Sequence, residues 1–264
     1  MKSPKLFLFD LDGTLTIEHR IIPGKTQETL QKMMEAGYLV SAATGNTFAQ
    51  FKQKFGEQWT PNAPMILECG SRITTVEGND LVQKAFTSEV IDQLREFLRH
   101  KKVHFSCFFP LAGGVYDVYS HDEDYVRGRY GHVMGYITPH VDEFFDLMTQ
   151  KGATRFVIKK DSHHDFDFPE DFPALVARNE GVFEITMPGV HKGAMVGELA
   201  KHLDIQMDEI VIAGNGYNDI DFLKFADVPV KIKVGDECPE LSEWATVEVP
   251  NAVELAYWLE KEYL

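Results

Sequence analysis

Apolar and polar positions fall in blocks along this chain, and the shortest blocks are the most apolar. Residues 6–9, LFLF, form an unbroken apolar run of the kind found in strands buried on both faces. The run ends on Asp10-Leu11-Asp12-Gly13, where the glycine lets the chain turn. Residues 38–43 (YLVSAA), 209–213 (EIVIA) and 228–234 (VPVKIKV) read as further strands, and residues 65–73 (MILECGSRI) as a strand followed by a tight turn. Helical spacing lies between them. Thr26 is placed to cap a helix carrying Leu30, Met33 and Met34 and closed by Gly37. Residues 47–55 set Phe48, Phe51 and Phe55 on one face, and Gly56 ends that helix. Met195, Val196, Leu199 and Leu203 mark another, and residues 250–263, with Val253, Leu255, Trp258 and Leu259, a closing one. The first strand, helix and strand make a βαβ unit, which predicts two parallel strands.

Between residues 80 and 190 the pattern changes. Strand-like and helical stretches alternate there: LVQKAF, SEVIDQLREFLRH, VHFSCFF, GGVYDVYS, PHVDEFFDLMTQ, TRFVIKK and VFEITM. Several of the strands alternate apolar with polar residues, as a sheet with one solvated face requires. The expected organisation is therefore an α/β core of residues 1–79 and 191–264, interrupted by a second, α+β domain of residues 80–190. Residues 121–132, HDEDYVRGRYGH, read either as a solvated loop or as a loop that meets a substrate through Arg127 and Arg129. Guanidinium groups suit an anionic or hydroxyl-rich partner. His163 and His164, beside Asp161, Asp165 and Asp167, read as exposed loop rather than as a metal site.

Composition narrows the partners. Over 264 residues the formal net charge is -15, which argues against a nucleic acid or an anionic membrane. A phosphate site fits this charge only where a metal or a lysine reverses the local field. Cys69, Cys107 and Cys238 lack CxxC spacing, so they predict reduced thiols and neither a disulfide framework nor a zinc site. No apolar run approaches the roughly 20 residues that span a bilayer. Acidic residues stand where a signal peptide needs its cleavage region, so a cytoplasmic location is expected.

The candidate chemistry gathers at predicted strand ends. Asp10 and Asp12 are two positions apart, so both can face one side of an extended segment, unless the turn re-aims the second, at the edge where open α/β sheets bind ligands. An isolated pair of this kind also occurs at plain strand-to-turn boundaries. Adjacent carboxylates repel unless a cation lies between them, and a divalent metal is the natural partner. Thr44-Gly45-Asn46 follows the second strand on the same edge, either as a helix-capping turn or as a hydroxyl and amides that hold a phosphoryl oxygen. Lys192 opens a helix, where its charge opposes the dipole, so it is either a tolerated surface charge or faces an anion. The loop Gly214-Asn215-Gly216-Tyr217-Asn218-Asp219 brings oxygen donors of the kind magnesium takes, or else simply caps the next helix.

Taken in order, these four stretches resemble the motifs of the haloacid dehalogenase-like hydrolases. DLDGTLT resembles the first motif, Thr44 the second, Lys192-Gly193 the third and GNGYND the fourth. The insertion between the second and third, and Cys69-Gly70-Ser71 where Asn-Gly-Ala is usual, resemble the Cof-type branch of sugar-phosphate phosphatases. The resemblance implies a Rossmann-like parallel-sheet core with a smaller inserted α+β cap that selects the substrate. It implies a magnesium-dependent phosphatase acting on a small phosphomonoester. Asp10 is then the nucleophile, Asp12 the general acid and base, and Thr44 and Lys192 hold phosphoryl oxygens. Gly13, Gly45, Asn46, Arg127 and Arg129 would line the substrate, and Asp10, Asp12 (through its main-chain carbonyl), Asn215, Asn218 and Asp219 would hold Mg2+. Two positions depart from the family pattern: Asn46 replaces an arginine, and Asn215 an aspartate. They keep two other readings open, a phosphate-ligand-binding or regulatory protein with weakened catalysis and a phosphosugar mutase. Oligomeric state is not legible.

Overall fold

The four residues of β1, Leu6–Phe9, are all buried, and the reason is a sheet covered on both faces. In the computed structural model, β1 lies beside β2 (Leu39–Ala42), with the helices α1 (Gly24–Glu35) and α2 (Phe48–Phe55) before and after β2. The residues described are 3–18, 20–99, 105–108, 116–119, 134–138, 140–159, 168–169, 172, 174–179 and 182–264. The chain divides into two compact units, Met1–Val82 with His191–Leu264, and Gln83–Val190.

The first unit continues with β3 (Met65–Leu67), β4 (Arg72–Thr74) and β5 (Asp80–Gln83), which form a three-stranded sheet of their own. The second unit holds α3 (Ser88–Leu98), β6 (Phe105–Phe108), β7 (Tyr116–Tyr119), β8 (Met134–Thr138), α4 (Val141–Lys151), β9 (Arg155–Lys159), β10 (Leu175–Asn179) and β11 (Val182–Thr186). The chain then returns to the first unit with α5 (Lys192–Leu203), β12 (Ile210–Gly214), α6 (Ile220–Phe225), β13 (Val230–Val234), β14 (Val247–Val249) and α7 (Ala252–Tyr263).

The main sheet of the first unit runs β14-β13-β12-β1-β2, and each neighbouring pair is parallel. Side chains alternate across it. Phe7, Phe9, Val40, Val211 and Ile232 join Leu30, Met33, Phe51, Leu255 and Leu259 on one face. Leu6, Leu8, Ile210 and Ile212 join Met195, Val196, Leu199, Phe222 and Leu223 on the other. Helices on both faces explain why β1 is apolar without a break. This is the Rossmann-like α/β core.

One local expectation changes, and another gains detail. The first helix starts at Gly24 behind Pro23, so Thr26 lies inside its first turn and does not cap it; the Thr26 hydroxyl instead donates to Ala252 O at 3.0 Å, tethering α7. The strand at 65–67 forms, but it meets β2 only through a single bridge, Ala43 to Ile66, and pairs along its length with β4. A turn at Glu68–Gly70 makes the reversal. Gly70 is required there, with φ 102° and a Cβ position only 2.5 Å from the His191 carbonyl carbon. Arg72 then grips Asp80 through Nε at 3.0 Å and Nη2 at 2.6 Å, with Glu68 at 3.0 Å from Nη1.

The second unit carries a six-stranded sheet in the order β10-β11-β9-β6-β7-β8, antiparallel except between β7 and β8. Helices α3 and α4 supply Val90, Ile91, Leu94, Phe144, Phe145 and Met148 to a core shared with Phe156, Ile158, Phe183 and Ile185. It is an α+β unit. No described helix is long and apolar enough to cross a membrane.

Candidate active site

Three strand ends of the first unit meet at one edge. Asp10 follows β1, and its N–H donates to Ala213 O at 2.9 Å, extending the β1–β12 ladder past the last strand residue. The Leu11 carbonyl then accepts from the N–H groups of Thr14, Leu15 and Thr16 at 3.1–3.2 Å, which winds residues 11–16 into a tight turn. Gly13 makes that turn possible. Its φ is 92°, and a Cβ there would stand 2.2 Å from Asn215 Nδ2, so any side chain would push the first and fourth loops apart.

Asp10, Lys192 and Asp219 form a closed, buried cluster. Lys192 Nζ donates to Asp10 Oδ1 at 2.7 Å and to Asp219 Oδ1 at 2.6 Å. Asp219 Oδ2 accepts the N–H groups of Asn215 and Gly216 at 3.0 and 3.2 Å, so this carboxylate shapes its own loop as well as holding the lysine. Burial pushes the Asp10 carboxyl up to about 7, the Asp219 carboxylate adds to the shift, and the Lys192 ammonium pulls only part of the way back. For Lys192 burial acts downward, but Asp10 and Asp219 outweigh it and hold the amine well above its ordinary value. Lys192 is therefore a charged residue facing anions, which decides between its two sequence readings. His191 caps α5 by accepting Ala194 N–H on Nδ1 at 3.2 Å, and burial lowers its pKa, in keeping with a neutral acceptor.

Asn215 is held at both ends. Its Nδ2 donates to Glu237 Oε2 at 2.6 Å, and its Oδ1 accepts the Thr14 hydroxyl at 2.9 Å. The same hydroxyl lies 3.3 Å from Asp10 Oδ2. Asp10 Oδ2 and Asn215 Oδ1 thus converge on one hydrogen, which is the arrangement two oxygen ligands need to share a cation. Two buried carboxylates against one ammonium also leave an uncompensated negative charge. The donor set fits a hard divalent cation such as Mg2+, although among the described residues no three His, Cys, Asp or Glu side chains cluster for a metal. Asn218 is half-buried, with its Oδ1 close to Gly216.

Asp12 has different surroundings. Its Oδ2 accepts Asn46 Nδ2 at 2.9 Å and faces Lys54 Nζ at 3.6 Å, while its Oδ1 is buried with no hydrogen-bond partner. Thr44, at the end of β2, is buried, and its Oγ1 accepts both the N–H of Asn46 at 3.1 Å and Asn46 Nδ2 at 2.9 Å. Gly45 lies between them. Arg127 and Arg129 lie outside the described residues, as do His163 and His164 with their neighbouring aspartates. Thr14, Lys54 and Glu237 complete the site, and the last two lie in no motif. Thr14 alone was visible in the sequence, inside DLDGTLT.

A profile of the haloacid dehalogenase-like hydrolases matches residues 7–252. The chain belongs to this family. Among curated relatives, the 5-amino-6-(5-phospho-D-ribitylamino)uracil phosphatase of Bacillus subtilis is 22% identical over 258 residues, covering 88% of each chain. Among solved structures, a phosphatase of the haloalkanoate superfamily from Bacteroides thetaiotaomicron aligns with a TM-score of 0.78 and 17% identity, over 98% of this chain and 95% of its own. A subclass IIB sugar phosphatase aligns with a TM-score of 0.74 and 18% identity, over 97% of this chain and 98% of its own. At such identities the structural likeness is one of fold.

Proposed function

We propose that this hydrolase is a magnesium-dependent phosphatase that cleaves a small phosphomonoester, a sugar phosphate in the first instance, through a phosphorylated Asp10. The observation that carries the reading is the buried Asp10 carboxylate, held by Lys192 at 2.7 Å with a second, differently placed aspartate two residues on. The names of the relatives support the substrate class, since one acts on a phosphoribityl compound and another is a sugar phosphatase.

In the first step an Asp10 oxygen attacks phosphorus, the ester P–O bond breaks, and Asp12 gives its proton to the departing alkoxide. In the second, Asp12 takes a proton from water as that water attacks the aspartyl-phosphate, and phosphate leaves with Asp10 restored. Lys192 offers its ammonium to the transferring group. Thr44 Oγ1 already accepts two hydrogen bonds, so its own hydrogen is left to donate to a phosphoryl oxygen. Asp10, the Asp12 main-chain carbonyl and Asn215 would hold Mg2+, which would supply positive charge to offset that of the phosphoryl group. Asp219 secures Lys192 and the loop. The unit Gln83–Val190, with Arg127 and Arg129, would select the rest of the substrate.

The test is phosphate release from a panel of sugar phosphates, nucleotides and an aryl phosphate, with magnesium and with chelator, for the wild type and Asp10→Asn. Release that needs both magnesium and Asp10 is expected. Release by Asp10→Asn at the wild-type rate removes the nucleophile. Absence of release by the wild type moves the reading to a phosphate-ligand-binding protein.

A further inference from the structure

Asn46 is buried, and both ends of its amide are engaged. Its Oδ1 accepts Lys54 Nζ at 2.9 Å. An ammonium cannot donate to an NH2 group, so the amide orientation is set by charge: Nδ2 must face the two acceptors, Asp12 Oδ2 and Thr44 Oγ1, each at 2.9 Å. The Asn46 amide is consequently occupied by the protein itself.

Lys54 comes from the last turn of α2. Thr47 and Gln50 close a capping box at the start of that helix, and Phe51 and Phe55 are buried in the core, so its position is firm. The lysine side chain is 32% exposed and the Asp12 side chain 30%, and their 3.6 Å ion pair lies at the rim of the site. Pairs of this kind add little stability. The consequence of the contact is orientation.

The two oxygens of Asp12 differ in kind. Oδ2 has an amide donor and a cation beside it, while Oδ1 is buried and has neither. A shared proton resides on the carboxyl oxygen that donors and cations do not already occupy. We infer that Lys54 is a positioning residue for Asp12: acting through Asn46, it pins Oδ2 and leaves Oδ1 as the oxygen that passes a proton to and from the leaving group. The inference deepens the phosphatase reading and rests on it. The proton on Oδ1 moves to the ester oxygen as the P–O bond breaks and is replaced from the attacking water.

The experiment compares two leaving groups. The p-nitrophenolate anion departs with little need of a proton, whereas the alkoxide of the best sugar phosphate in the panel needs one. In Lys54→Met, kcat on the sugar phosphate is expected to fall about tenfold or more, within the range of general-acid effects, with p-nitrophenyl phosphate much less affected. KM and the melting temperature should stay near wild type, and Asn46→Leu should repeat the pattern. Lys54→Arg, which keeps a cation, should restore part of the lost selectivity. Asp12→Asn sets the scale. Equal falls on both esters overturn the inference and leave the phosphatase reading standing. A change confined to KM overturns it too, by making Lys54 a substrate contact. A wild type that releases phosphate from neither ester overturns the phosphatase reading and the inference together.

Discussion

Asp10 and Asp12 leave the same strand end two residues apart, and the protein surrounds them in opposite ways. Asp10 is closed in with Lys192, Asp219 and the Thr14 hydroxyl, and burial together with Asp219 moves its carboxyl up to about 7. Asp12 stands at the rim with one oxygen pinned by Asn46 and the other unpartnered. The difference comes from the turn. Once the chain winds around the Leu11 carbonyl, the two side chains no longer continue the alternation of the strand, and each meets a different loop. One strand end thereby provides two carboxylates in different settings, one buried against an ammonium and one at the rim with a single oxygen held, the difference that the proposed nucleophile and the proposed proton carrier would need.

The strongest way to break the comparison is to remove the charge of Asp10. Asp10→Asn should lower phosphate release by roughly 10⁴-fold or more, as loss of a covalent nucleophile does. The fold should survive, and its pH dependence gives a second reading. Asp10 binds a proton more tightly folded, at about 7, than at its ordinary 3.8. Its contribution to stability is therefore present below the lower value and lost as pH rises through the higher one. In chelator, Asp10→Asn should gain stability relative to the wild type between about pH 4 and pH 7, read by urea denaturation. A difference that stays flat across that range means that Asp10 is not raised.

Next in size is Lys192→Met. It leaves Asp10 and Asp219 buried without their common cation, and breaking a buried pair in this way costs about 3–5 kcal/mol. The loss should be smaller at pH 5.5 than at pH 8, because Asp10 can take up a proton at the lower pH. Equal losses would mean that the lysine acts through packing alone.

How much of this was legible in the sequence follows from burial. The strands of the main sheet that lie between others, β1, β12 and β13, were visible as apolar runs because both of their faces are covered. The strands that the pattern missed are β4, only three residues long and folded back on β3, and β8, β10 and β14, each of which ends a sheet in the observed order. An edge strand has fewer neighbours to bury against, so its residues carry a weaker alternation. The site divides in the same way. Asp10, Asp12, Thr44, Asn215 and Asp219 stand in turns beside buried strands, Lys192 opens α5, and all were legible from strand ends, glycines and motif order. Lys54 and Glu237 come from a helix end and an acidic loop, where nothing in the local pattern distinguishes them from surface charge. Only the fold brings Lys54 to Asn46 and Glu237 to Asn215.

Asn215→Asp sharpens the comparison on the Asp10 side. The new carboxylate would replace the amide that donates to Glu237 Oε2 at 2.6 Å and would stand beside Asp10, so in chelator the protein should lose about 1–3 kcal/mol. Magnesium should bind more tightly, because a charged oxygen replaces a neutral one in a hard-cation site. Calorimetry with magnesium alone reads the second effect. Weaker binding would take Asn215 out of the ligand set.

The smallest expected effect separates a shared cation site from two neighbouring hydrogen bonds. Thr14 is fully buried, and its hydroxyl is the one hydrogen on which Asp10 Oδ2 and Asn215 Oδ1 converge, at 3.3 and 2.9 Å. Thr14→Val keeps the shape and removes that hydrogen, at a cost of about 1 kcal/mol in chelator. With magnesium saturating the site, both oxygens regain a positive partner, and the cost should shrink. The corner around Asp10 is then a place where the protein's own hydroxyl holds two ligand oxygens together until a cation does so. If urea denaturation gives Thr14→Val the same deficit with and without magnesium, the two oxygens do not share an ion, and the convergence seen around Asp10 serves only to orient Asn215.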